Sequence, residues 1–111
     1  MQNNIMKRME PIFKRLSEKG YKHYTENTIE ELDELPLNSP DIITEFAHLC
    51  EWLRVHYDIW IDVGYEPMKV QWWSLISRIG TSNIEQPEFH GLHSPQEAYS
   101  TSIDYVLNKL I

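Results

Sequence analysis

The hydrophobic period of this chain changes once, at Asp58, and that change constrains the fold more than any other feature. Before it, Ile42, Ile43, Phe46, Leu49, Cys50 and Leu53 recur at helical spacing, with Thr44, Glu45, His48, Glu51 and Arg54 on the opposite side. After it, Ile59, Ile61 and Val63 alternate with Asp58, Trp60 and Asp62, the period of a half-buried strand. Gly64-Tyr65-Glu66-Pro67 reads as a turn, and Val70, Trp72 and Ile76, alternating with Lys69, Gln71 and Trp73, as a longer partner strand. The hairpin is expected over about 58–79. Gly80 to Glu88 reads as a polar loop, and Glu85 to Gly91 is a candidate for a short third strand around Phe89. Ser94-Pro95-Gln96-Glu97 then joins an N-cap, a proline at the first helical position and a Glu three residues after the cap. It opens a C-terminal helix over about 94–110, with Tyr99, Ile103, Val106, Leu107 and Leu110 as its apolar stripe.

The region over about 10–57 is helical by the same criteria. Pro11 suits a first turn, Ile12, Phe13 and Leu16 share a face, and Gly20 is the stop signal. Ile5, Met6 and Met9 suggest an earlier turn, kinked at Pro11. Tyr21 to Asn27 reads as a connector. Thr28-Ile29-Glu30-Glu31 has the capping-box pattern and opens a short acidic helix, solvated along Glu30, Glu31, Asp33 and Glu34 and closed by Pro36. Asn38-Ser39-Pro40-Asp41 starts the core helix. The expected fold is α+β in a single domain, 1–111, with N-terminal helices, a two- or three-stranded antiparallel sheet and a C-terminal helix. Its two longest helices are expected to pack on one sheet face.

At 111 residues the chain suits one core. Its 12% aromatic content argues against disorder. The net charge of −7 is uneven: residues 1–22 carry +4 and the remainder −11. An acidic body disfavours nucleic acid, where phosphate contacts dominate affinity. A lone cysteine, Cys50, excludes an intrachain disulfide framework and reads as a small buried hydrophobe. No apolar run reaches the roughly 20 residues of a membrane span. The first residues lack a signal peptide's apolar core, so the expected compartment is cytoplasmic.

Catalysis has little to rest on. His90 and His93, with Glu88 nearby, are the one candidate metal set, and no third or fourth ligand is signalled by spacing. His48 and His56, eight apart, rise about 12 Å along a helix and cannot share an ion. Asp58 and Asp62 lie about 13 Å apart along a strand, too far for a paired-carboxylate mechanism. Nucleophile elbows and phosphate-cradling glycine loops are absent. No cofactor is expected. The tryptophans are more informative: if Ile59, Ile61 and Val63 face the helices, Trp60 and Trp73 face the other way, together. Either they form a contact surface, or an N-terminal helix folds over them.

Trp52-Leu53-Arg54, the Ile-Trp-Ile-Asp-Val strand, Trp72, and the run from Ser94-Pro95-Gln96-Glu97-Ala98 to Leu107-Asn108-Lys109-Leu110-Ile111 carry a resemblance. Over about residues 50–111 the chain resembles small phage- and prophage-encoded proteins of gut Bacteroidetes, a group with no assigned chemistry. The resemblance implies a setting and no active site. The helix-strand-strand-helix order also resembles double-stranded-RNA-binding topology, against which the acidic charge stands. The expected function is a non-enzymatic accessory protein that binds another protein or itself through Trp60 and Trp73. Two alternatives stand beside it. One is an acidic DNA mimic or nucleic-acid-linked regulator using the clusters at 26–34 and 58–66; the other is a small metal-dependent hydrolase using His90 and His93.

Overall fold

A computed structural model describes residues 3–78 and 87–111. The fold is α+β, with N-terminal helices, a three-stranded antiparallel sheet and a C-terminal helix. The chain divides into two compact units, Met1–Leu49 and Cys50–Ile111. The longest helix, α4 (Pro40–Tyr57), contributes to both.

In the first unit, α1 (Ile5–Arg8) and α2 (Glu10–Glu18) are separated at Met9, so the expected kink is a break. Pro11, with no N–H to donate, sits in the first turn of α2. Phe13 and Leu16 are its buried face, and Gly20 follows at φ 102, a left-handed C-terminal stop. Asn3 joins two elements: its Oδ1 accepts from the N–H groups of Ile5 (3.0 Å) and Met6 (3.2 Å), and its Nδ2 donates to the carbonyls of Leu32 and Leu35, both at 2.8 Å. Helix α3 (Ile29–Asp33) begins with the full capping box, Thr28 and Glu31 bonding each other's backbone N–H. It is not solvated throughout: Asp33 is buried and its Oδ1 accepts from the Lys7 N–H at 3.3 Å.

Glu45 is the larger departure from expectation. Placed on the polar side of α4 by the sequence pattern, it has 0% exposure. The connector after α2 folds over it and supplies its donors. Tyr21 donates its hydroxyl to Oε2, and the backbone N–H groups of Tyr24 (3.3 Å) and Thr25 (3.4 Å) point at the same carboxylate. His23 Nδ1 lies 3.2 Å from Oε1. A buried carboxylate is tolerated when several donors replace its water. Glu45 is therefore the peg around which residues 21–25 are wound. Close by, His48 Nε2 bonds the Lys22 carbonyl at 3.0 Å and the ring packs against Tyr21 and Tyr24.

In the second unit, β1 (Ile59–Glu66), β2 (Gln71–Arg78) and β3 (Glu88–Leu92) form one sheet in the order β1-β2-β3. The third strand is present, around Phe89. The expected strand end at Ile79 and most of the Gly80–Glu88 loop lie outside the described residues. Helix α5 (Pro95–Tyr105) starts at Ser94, whose Oγ accepts from the Glu97 N–H at 3.0 Å, and ends in a π-helical turn, Val106–Leu110. It lies across all three strands on one face. There the buried Ser102 hydroxyl donates to Ser74 at 2.8 Å, and Tyr105 meets Phe89 edge-on. Cys50 is half-buried, short of the full burial expected, yet desolvation pushes its thiol up to about 12, which leaves it unreactive.

The hairpin turn is displaced from its expected place. Gly64 is inside β1, opposite Trp73, and the chain reverses at Pro67-Met68-Lys69-Val70, closed by a Val70 N–H to Pro67 carbonyl bond of 3.3 Å. Val70 is not an inward strand residue: it is 74% exposed at φ 54, in the left-handed region that a β-branched side chain disfavours. Relief of that strain exceeds the chain-entropy cost of glycine, so Val70→Gly should stabilise the unit by about 1 kcal/mol. Thermal unfolding checks it, with a melting temperature raised by about 4 °C; a fall would show that the strain is absent.

Candidate functional site

The register of the hairpin fixes what the second face of the sheet displays. Residues paired across antiparallel strands point to the same side. Ser74 is bonded to Ser102 of α5, so Val63, its partner, faces the helix too. The residues of opposite parity, Trp60, Asp62, Gly64 and Glu66 on β1 and Trp73 and Leu75 on β2, occupy the other face. Glu88 pairs with Leu75 and joins them. Between Trp72 and Ser74 the pairing slips by one residue of β3, and Gly91 takes φ 71 in that bulge. His90 bonds Glu88 at 3.2 Å on the same side.

Both sequence-predicted tryptophans therefore share a face, the one opposite α5. Trp60 is 40% exposed. Its ring carries the Arg54 guanidinium, 4.9 Å from the centroid, a cation–π contact. Arg54 is also paired with Glu51, donating from Nε at 3.1 Å and from a terminal nitrogen. That hydrogen bond holds the Glu51 carboxyl below its usual range. Trp73 is half-buried, lying over Gly64. A Cβ at position 64 would fall inside contact distance of Cζ2 and Cε2 of the indole and 2.7 Å from its Nε1. Glycine is thus required by the neighbouring ring and not by a turn. Beside Trp73 lies an open cavity of about 410 Å³, lined by Glu66, Trp73, Leu75, Glu88 and His90 together with Tyr65, Pro67 and Ser74.

No protein-family model, curated protein or solved structure matches this chain.

The candidate metal residues are not gathered. His90 turns to Glu88, whereas His93 contributes its backbone N–H to Glu97 at 3.4 Å, as part of the start of α5. Among the described residues, no group of three His, Cys, Asp or Glu side chains is placed to hold an ion. Among those residues, too, no helix is long and apolar enough to cross a membrane. His56 packs on Trp52 with ring centroids 5.2 Å apart. Sequence reasoning missed the cavity and the pairing of Trp73 with Gly64. The available signal for the pairing was a glycine four residues after the outward Trp60, since that spacing keeps it on the same strand face.

Proposed function

We propose that this chain is a small non-enzymatic accessory protein that binds another protein, or a second copy of itself, through the open face of its sheet. The setting is the phage or prophage context implied by the resemblance of residues 50–111. The observation that carries the proposal is Trp60 and Trp73 together on a sheet face that α5 leaves uncovered. Interface centres are rich in tryptophan and arginine, and an indole removes a large area from water with only two side-chain torsions to fix. Here an arginine already lies on one of the two indoles. The acidic residues of this face, Asp62, Glu66 and Glu88, supply a polar rim suited to a partner of opposite charge.

Light scattering on the wild type and on Trp60→Ala tests the reading. Trp60 is part exposed, so its truncation leaves the fold intact. A wild-type dimer that becomes monomeric on substitution places a self-interface on this face. A wild-type monomer directs the search to a foreign partner, whose capture the substitution should weaken at least tenfold, the loss typical of a hot-spot tryptophan. Association or capture that is indifferent to Trp60→Ala contradicts the proposal.

A further inference from the structure

We infer that the cavity beside Trp73 is a receptor for one cationic side chain, arginine or lysine, presented by the protein partner. The inference rests on the binding role proposed for this face and names the chemistry of what it binds.

The molecule contains a template for the interaction. At Trp60 an indole, a guanidinium and a carboxylate form a set: Arg54 lies over the ring and Glu51 neutralises it. At Trp73 the indole and the carboxylates are present, from Glu66 and Glu88 on either side of the cavity. Among the described residues, no cation stands over Trp73. The two carboxylates are incompletely served. Lys69 approaches Glu66 at 4.0 Å, on a side chain 66% exposed, and is readily exchanged for a better-placed charge. His90 Nε2 meets Glu88 Oε2 at 3.2 Å with both side chains exposed, a contact that is likewise readily exchanged. Leu75, Tyr65 and Pro67 provide apolar wall for an aliphatic stem. A volume of about 410 Å³ accommodates a long side chain with part of its backbone. Anionic partners would meet two carboxylates with one loosely held lysine, and a purely apolar one would strip water from both acids without replacing it. A cation with an aliphatic stem satisfies every wall.

The test uses three blocked peptides, acetyl-Ala-Arg-Ala-amide, its Lys counterpart and its Gln counterpart, titrated into the full chain and followed by proton–nitrogen correlation spectra. The Trp73 indole N–H and the amides of Leu75, Glu88 and His90 should shift with Arg and Lys and stay still with Gln. Glu66→Gln/Glu88→Gln, which keeps the size and polarity of both side chains, should weaken the Arg peptide about tenfold, the share of two part-screened charges. Equal response to Arg and Gln, unchanged affinity in the double variant, or shifts spread equally over the acids of α3 would each overturn the inference. The two proposals fail separately. Partner capture lost in Trp60→Ala without a peptide response at Trp73 keeps the binding face and removes the cation receptor. A peptide response at Trp73 with capture indifferent to Trp60→Ala does the reverse.

Discussion

Glu45→Ala should cost the first unit about 3 kcal/mol, a large share of the roughly 5–15 kcal/mol by which domains of this size are stable. The substitution takes away the acceptor for four groups at once: the Tyr21 hydroxyl, His23 Nδ1, and the N–H groups of Tyr24 and Thr25. Tyr21 is buried, so its hydroxyl loses this carboxylate acceptor away from water, and the two backbone groups recover solvation only if residues 21–25 peel away. Tyr21→Phe removes a single donor and should cost about 1 kcal/mol. The difference between the two variants, read as denaturation midpoints in urea, measures how far the connector depends on this one carboxylate. Amide exchange at Tyr24 and Thr25 should speed up in Glu45→Ala before global unfolding does. An unchanged midpoint would mean that the connector is held by the packing of Tyr21 and Phe13 alone.

Gly64→Ala should cost the second unit about 2–3 kcal/mol, although alanine ordinarily favours a strand over glycine. The reason is the position of the Trp73 ring, against which the new methyl would collide. A flexible side chain would move aside; an indole between two strands has few rotamers open to it. A double-mutant cycle isolates the effect: in a Trp73→Leu background the alanine should cost nothing. The same penalty in both backgrounds would place the clash elsewhere. Displacement of Trp73 would also reshape the neighbouring cavity, so stability and binding should fall together in Gly64→Ala.

What the sequence revealed depended on how local the cause was. The starts of α3 and α5 were legible at Thr28 and Ser94 because a cap and its partner lie three residues apart. The period change at Asp58 was legible because Ile59, Ile61 and Val63 alternate on a half-covered sheet, and so was the shared face of Trp60 and Trp73. The hairpin turn was misplaced because Gly64 and Pro67 resemble turn residues, whereas the true turn ends in Val70, held at a positive φ that no propensity favours. An amphipathic pattern treats every carboxylate as outward and so places Glu45 and Asp33 in water. Their burial depends on a connector and on α1, remote in sequence, folding over them. The cavity needed three strands to be in register and had no signature in any one of them.

The most direct test of the binding face is a crosslink from its centre. Asp62 is exposed, lies between Trp60 and Gly64 on β1 and pairs with Leu75. A photoreactive benzoylphenylalanine at position 62, irradiated in the cells that make the protein, should yield one discrete adduct with a second copy or with a single other protein. The same group at Lys14, on the exposed side of α2, should not yield it. An identical adduct from both positions, or none from position 62, would contradict the assignment of this face as the site of binding.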